Sequence, residues 1–68
     1  MQTSLLRYEG KVPVRIIKKF RTFEGEVDKV RVVDVDLREV ELEVGKVALV
    51  SKKMAEALIK TGHGERVG

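Results

Sequence analysis

The sequence of 68 residues contains no cysteine, no tryptophan and no asparagine, and it has only one proline, one histidine and three aromatic residues. Without cysteine, neither a disulfide framework nor a thiolate metal site can form. No apolar run approaches the roughly 18 residues of a membrane-spanning helix, and the N-terminus lacks the long apolar region of a signal peptide. We therefore expect a single cytoplasmic domain, with no membrane contact, whose core consists of valine, isoleucine and leucine.

Charged residues make up 37% of the chain, with 14 Lys and Arg against 11 Asp and Glu. Few thermolabile amides together with many charged residues are typical of a thermophilic protein. The charges are unevenly distributed: residues 15–21 are basic, residues 34–43 are mostly acidic, and residues 46–60 are again basic. A basic domain can contact nucleic acid, but the acidic block would repel a phosphate backbone wherever both lie on one face.

Residues 44–62 predict a short apolar strand that leads directly into a short helix. Residues 47–50 form an apolar run of strand length, and Ser51 after it is a good N-cap for a helix. Gly62 supplies the left-handed position that commonly ends a helix. A helix of about ten residues is marginal alone in water, so it must lie on a sheet. Its apolar face is predicted to consist of Met54, Ala55, Leu58 and Ile59.

The preceding residues predict that sheet. Alternating apolar residues indicate strands within residues 12–19, 29–36 and 39–44, and residues 39–44 with 47–50 are spaced for a hairpin. Pro13 cannot donate a ladder hydrogen bond, which predicts that its strand begins at a sheet edge. The alternation changes phase at Ile17 and Val33, which favours a curved, bulged sheet.

The predicted fold class is therefore α+β, with a small curved, mostly antiparallel β-sheet of about 4–6 short strands and one C-terminal helix packed on it. We expect one domain over residues 1–68. Within it, residues 1–11 form an arm or edge strand, 12–50 are β-rich, 51–62 are the helix, and 63–68 are a tail or linker, which either forms a last short strand or begins a linker.

The sequence offers little that points to catalysis or to a cofactor. His63 is the single histidine and has no companion residues in the pattern of a metal site or a nucleophile–base pair. Asp34 and Asp36 share a strand face in this interpretation and could chelate a hard cation, but a solvated face explains them more simply. We expect no enzyme activity, no metal and no cofactor.

Two features rise above this background. Lys52 and Lys53 occupy the first turn of the predicted helix, where the helix dipole favours acidic residues. They could receive an anion or an acidic partner surface, although lysines that extend into solvent are the simpler expectation. The basic residues from Arg15 to Arg21 are interleaved with Phe20 and with nearby Phe23. Such a pattern can bind single-stranded nucleic acid by stacking, although packing of both rings into the core is the simpler expectation.

The segments VRIIKKF (residues 14–20) and VGKVALVSKKMAEALIKTG (residues 44–62) resemble the small β-rich B domain of a GINS replication-complex subunit, of the archaeal type that carries this domain at the N-terminus. The resemblance covers about residues 12–62. Leu37-Arg38-Glu39 replaces the family's Gly-Pro-aromatic turn, and Lys52-Lys53 replaces an acidic pair. The helical domain of GINS subunits is missing, so we expect either an excised domain or a free-standing relative. The matching positions are Gly45, Val50, Met54, Ala55, Leu58 and Gly62.

The resemblance implies a non-catalytic protein–protein interaction module of the DNA replication machinery. Its implied partners are the replicative helicase ring, a RecJ-like protein and sister GINS subunits, with weak or no direct binding to nucleic acid. An acidic face of Glu39, Glu41 and Glu43 is the second candidate contact. The alternative interpretation is a small basic nucleic-acid-binding β-barrel. The first candidate contact surface consists of Lys18, Lys19, Arg21, Lys52 and Lys53.

Overall fold

The computed structural model describes residues 11–67, which form seven short strands and one helix, with every strand pair antiparallel. The predicted α+β class is confirmed. The predicted arm at residues 1–11 lies outside the described residues except for Lys11, which begins the first strand. The elements are β1 (Lys11–Ile16), β2 (Phe20–Thr22), β3 (Gly25–Val27), β4 (Lys29–Val33), β5 (Glu39–Glu43), β6 (Val47–Ser51), α1 (Lys52–Lys60) and β7 (Gly64–Arg66).

The central strand of the main sheet is β1, which lies between β6 and β7. Strand β1 as a whole is therefore not an edge strand, but its start, where Pro13 lies, is paired by β6 on one side only, as predicted. The ladder between β1 and β7 covers only Val14 to Ile16, so Pro13 lies just beyond its end. The carbonyl of Pro13 accepts a bond of 3.3 Å from the Val67 N–H, so the side that lacks a donor faces the end of the β7 segment. A proline is tolerated there because no regular ladder bond is lost.

The other strands form two hairpins, β2 with β3 and β4 with β5. The predicted hairpin between residues 39–44 and 47–50 is wrong, because β5 pairs with β4 while β6 pairs with β1. The chain passes from one sheet to the other at Gly45, whose φ of 89° suits glycine and whose N–H bonds the Ile16 carbonyl at 2.8 Å. The strands thus form three small sheets where the sequence indicated one curved sheet.

The phase changes in the sequence have a simple cause in the structure. They mark strand ends, since β1 ends before Ile17 and β4 ends at Val33, and both side chains are exposed. The core lies between the inner faces of the sheets and the helix. Its buried apolar side chains are Val12, Val14, Ile16, Val40, Leu42, Ala48, Val50, Ala55 and Leu58.

The helix α1 lies between its two predicted end signals, Ser51 and Gly62, and covers Lys52–Lys60 within the predicted residues 51–62. The Ser51 hydroxyl accepts a bond from the Met54 N–H, and Gly62 has a φ of 82° just beyond the C-cap. Leu58 is buried, but Ile59 is 41% exposed, so the predicted apolar face is narrower by one residue. Residues 64–66 of the predicted tail form β7, which completes the main sheet.

Candidate functional site

Asp34 is the most buried polar residue of the described chain, at 1% exposure. Its carboxylate accepts bonds from the Ser51 N–H at 2.7 Å, the Ser51 hydroxyl at 2.6 Å and the Val35 N–H at 2.6 Å. The interpretation of Asp34 as part of a solvated acidic face is therefore wrong. The reason is that it follows the last residue of β4 and its carboxylate reaches the end of β6, where the N–H and the hydroxyl of Ser51 both donate to it.

The bonds to Asp34 connect this carboxylate to the helix. Ser51 donates its hydroxyl proton to Asp34, and the same oxygen accepts a bond of 3.1 Å from the Met54 N–H in the first turn of α1. Burial raises the pKa of Asp34, but the bonds from Ser51 and from the Val35 N–H lower it more, so the pKa lies below its ordinary value. The group is therefore a charged, structurally engaged carboxylate at neutral pH.

Residues 34–38, which we term the tethered turn, connect β4 to β5. The Asp34 N–H bonds the Arg38 carbonyl and the Leu37 N–H bonds the Asp34 carbonyl, each at 2.9 Å. Since Asp34 and Arg38 are bonded to each other, the hairpin loop itself consists of the three residues 35–37. In such a loop the last residue has a left-handed conformation, and this position is usually occupied by glycine or asparagine. Leu37 occupies it with a φ of 66° and is 86% exposed. The left-handed conformation costs an L-residue about 1–2 kcal/mol.

Two further contacts hold the tethered turn against β1 and β6. The Arg38 guanidinium donates a bond of 2.9 Å to the Leu49 carbonyl at the outer edge of β6. Lys11 forms an ion pair with Asp36, and its hydrogen bond is the main reason that the pKa of Asp36 is lowered. The turn is thus fixed at several points along its length, while the side chains of Val35 and Leu37 remain in solvent.

The predicted contact residues Lys52 and Lys53 directly follow Ser51, whose N–H and hydroxyl donate to Asp34 at the start of this turn. Both are exposed, and the first turn of α1 contains no acidic residue. Within residues 11–67, neither lysine forms an ion pair with a carboxylate. We define the docking surface as Val35, Leu37, Lys52 and Lys53.

The other predicted contact residues lie elsewhere. Lys11 of β1 pairs with Ser51, whereas Lys18 and Lys19 follow the opposite end of the same strand. The length of β1, about 17 Å at roughly 3.3 Å per residue, therefore separates the two basic groups. The structure does not bring the five predicted residues together on one surface.

In the group of Lys18, Lys19 and Arg21, two of the three positive charges lie close to acidic side chains. Lys19 lies 3.5 Å from Asp28, and Arg21 on β2 lies 4.0 Å from Glu26, its cross-strand partner on β3. Exposed pairs of this kind contribute little to stability, but they reduce the positive potential available to a ligand.

The acidic face on β5 is compensated as well. A single carboxylate oxygen of Glu41 lies 3.5 Å from Lys29 and 3.7 Å from Arg31 on the neighbouring strand β4. Glu43 lies 3.7 Å from Lys46. Opposite charges on adjacent strands stabilise the hairpin, so this face does not present an open acidic patch.

The two phenylalanines have different surroundings. Phe20 is half-buried against the core and stacks on the His63 ring at a centroid distance of 5.0 Å. Phe23 is fully exposed at the tip of the β2–β3 hairpin, so the expectation that both rings pack into the core is wrong for Phe23. The two-residue turn that joins these short strands holds its side chain outside the core.

Within residues 11–67, no three His, Asp or Glu side chains lie close enough to hold a metal ion. No helix of this part of the chain is long and apolar enough to cross a bilayer. No protein-family model, no curated protein and no solved structure matches the sequence or the fold.

Proposed function

We propose that this chain is a non-catalytic protein–protein interaction module of the DNA replication machinery, acting in the cytoplasm of a thermophilic archaeon. It docks, as a GINS-like small domain, to the replicative helicase ring, a RecJ-like protein or sister GINS subunits. The replication context rests on the resemblance over residues 12–62. The observation that carries the docking role is the exposure of Leu37, at 86%, on a turn that is fixed by buried hydrogen bonds.

The docking surface has the properties of a binding site for a protein. Because the turn that carries Leu37 is already fixed, little backbone freedom is lost on binding. More of the free energy gained by burying the leucine side chain then contributes to affinity. The left-handed conformation of Leu37 is unfavourable for the isolated domain, and such strain is concentrated at functional sites. Lys52 and Lys53, which follow the Ser51 that holds the turn, add positive charge, and this combination fits a partner with an apolar pocket and an acidic rim.

The surroundings of the Asp34 carboxylate support the proposed non-catalytic role. Among the described residues, its carboxylate accepts bonds only from the Val35 N–H and from the N–H and hydroxyl of Ser51, and the Arg38 guanidinium lies 4.0 Å away. A general base must be accessible to the proton that it removes. Asp34 is enclosed, and its pKa is lowered rather than raised towards neutrality.

A second candidate function is binding of single-stranded nucleic acid, which the full exposure of Phe23 favours. The charges around it favour this function less, because Glu24 is adjacent to Phe23 and Arg21 is paired with Glu26. Fluorescence anisotropy with a labelled oligonucleotide distinguishes the two functions. Submicromolar binding at physiological salt that is lost in Phe23→Ala would support the nucleic-acid function and contradict ours.

The docking proposal is tested with purified helicase ring, RecJ-like protein and GINS subunits from the same source, by surface plasmon resonance. Leu37→Gly should weaken binding about tenfold or more, the effect of losing a small apolar anchor, without lowering the melting temperature. The double variant Lys52→Glu, Lys53→Glu should slow association and flatten its salt dependence. Lys60→Glu, at the other end of the same helix, is the matched control.

Two results would overturn the proposal. If the wild-type chain binds none of these purified proteins, the replication role is wrong. If a partner binds but Leu37→Gly and the lysine variants bind it as tightly as Lys60→Glu does, the docking surface is assigned to the wrong residues.

A further inference from the structure

Strand β4 has one edge without a strand partner among residues 11–67. Its only described pairing is with β5, in a register that sets Arg31 opposite Glu41. In an antiparallel ladder, residue pairs alternate between hydrogen-bonded and non-hydrogen-bonded, so the register and one bonded pair fix the direction of every main-chain group.

Two bonds identify the hydrogen-bonded set. The Asp34 N–H bonds the Arg38 carbonyl, and the Val44 N–H bonds the Asp28 carbonyl, each at 2.9 Å. Both pairs continue the β4–β5 register, and every second pair between them belongs to the same set. The main-chain N–H and C=O groups of Lys29, Arg31 and Val33 therefore point away from β5, towards the open edge.

A groove lies at the beginning of this edge. It has a volume of about 350 Å³, opens to solvent, and lies between the β2–β3 hairpin and the start of β4. Val30 is half-buried against the core, so its side of the groove is apolar. The lining residues are Thr22, Phe23, Glu24, Val27, Lys29 and Val30.

The charges at the edge select the kind of strand that fits. Lys29 and Arg31 share one oxygen of Glu41 on the β5 side, at 3.5 and 3.7 Å. An added strand would meet the same two cations from the other side. Self-association is disfavoured, because antiparallel pairing of two β4 edges about Arg31 would set two arginines directly opposite each other.

We propose that the open edge of β4 binds an extended segment of a partner protein in which acidic and apolar residues alternate. The segment adds a strand by bonding the outward main-chain groups, with its apolar side chains in the groove against Val30 and its acidic side chains at Lys29 and Arg31. In composition this segment mimics β5, the strand that β4 already binds through Glu39, Val40, Glu41, Leu42 and Glu43. The site adds to the proposed docking function, and its test needs no replication protein.

The test is a titration of the full ¹⁵N-labelled chain with the blocked peptide EVEVEVE, followed by NMR. We expect shifts and slowed hydrogen exchange at the amides of Lys29, Arg31 and Val33, while the amides of α1 are unchanged. The basic peptide KVKVKVK should bind at least about tenfold more weakly, and this preference should reverse in Arg31→Glu.

A matched pair of variants isolates the main-chain contribution. Arg31→Pro removes the outward N–H but no bond to β5, whereas Arg31→Ala removes the same charge and keeps the N–H. Both variants are first checked for an unchanged β4–β5 register by cross-strand nuclear Overhauser effects. We expect Arg31→Pro to bind EVEVEVE about tenfold more weakly than Arg31→Ala does.

Several results would overturn the inference. These are slow exchange of the Arg31 amide in the free chain, absence of peptide shifts at β4, equal binding of the acidic and basic peptides, or equal binding by the proline and alanine variants. If the wild-type chain binds EVEVEVE but binds neither the helicase ring, the RecJ-like protein nor the GINS subunits, only the replication proposal is overturned.

Discussion

Replacing Asp34 with alanine should strongly destabilise the fold, because it removes the acceptor of two Ser51 donors at 2.6 and 2.7 Å. Ser51 is 8% exposed, so water cannot replace the lost acceptor fully. A buried donor that loses its partner costs about 1–3 kcal/mol. Two such donors, offset by removal of a desolvated charge, give an expected loss of about 2–4 kcal/mol. A chain of 68 residues has a free energy of unfolding of only about 3–10 kcal/mol.

The assay is urea denaturation at pH 7, followed by circular dichroism. Asp36→Ala is the matched control, since it removes the same side chain two positions along the chain from an exposed ion pair with Lys11. We expect Asp34→Ala to unfold at a clearly lower urea concentration than Asp36→Ala does. Asp34→Asn, which keeps one carbonyl acceptor, should be intermediate.

A second measurement localises the effect. The Met54 N–H bonds the Ser51 hydroxyl, so loosening of Ser51 in Asp34→Asn should speed exchange of the Met54 amide more than exchange at the end of α1. If Asp34→Ala and Asp36→Ala unfold at the same urea concentration, the buried carboxylate does not stabilise this fold and the reasoning is wrong.

Three further predictions concern stability. Because folding lowers the pKa of Asp34, the contribution of this carboxylate to stability is present above its unfolded pKa of about 3.9 and is lost as the pH falls through the lower folded value. Asp34→Asn should therefore reduce the slope of the unfolding free energy against pH in that range, measured by urea titrations from pH 2 to 6. Leu37→Gly should leave stability unchanged or raise it by up to about 1 kcal/mol, because strain is relieved and little burial is lost, and a lower melting temperature would contradict this. Gly64→Ala should cost about 1–3 kcal/mol in denaturant titration, since its Cβ would lie 2.5 Å from Cγ1 of Val14 and 3.3 Å from the Arg15 carbonyl oxygen; an unchanged midpoint would show that β7 shifts freely.

The helix could be predicted closely because its signals are local. Ser51 and Gly62 lie within one turn of the ends that they define, and each acts through its own backbone neighbourhood. Leu58 is buried as the 3.6-residue period requires. Ile59 is more exposed than predicted because a helix of nine residues on a narrow sheet covers only a narrow stripe.

Strand pairing could not be predicted in the same way, because it depends on contacts between distant residues. The apolar alternation in residues 39–44 and 47–50 is the same whether the two strands pair with each other or with different partners. The spacing allowed a tight hairpin at Gly45, but the Gly45 N–H bonds Ile16 in β1 instead. Only the positive φ of this glycine, not the strand pairing, is encoded locally.

Asp34 was missed for a related reason. In the sequence it belongs to an acidic block, and acidic residues are almost never fully buried unless their charge is satisfied. The donors that satisfy it belong to Ser51, which is 17 positions away. The local turn gave one partial signal, because Asp and Asn at the start of a turn commonly accept a bond from a nearby N–H, as Asp34 does from Val35.

The buried carboxylate and the exposed leucine depend on each other. The left-handed conformation of Leu37 costs about 1–2 kcal/mol, and it persists only if the surrounding contacts favour the turn by more than that. The bonds that Ser51 donates to Asp34 and that Arg38 donates to Leu49 supply this excess, and they also fix the turn against the end of β6, directly before Lys52 and Lys53 in the chain. Weakening the buried bonds should therefore release the turn and reduce binding even though no residue of the docking surface has changed. Asp34→Asn should thus bind a partner more weakly than its remaining stability alone would explain, whereas Asp36→Ala should not.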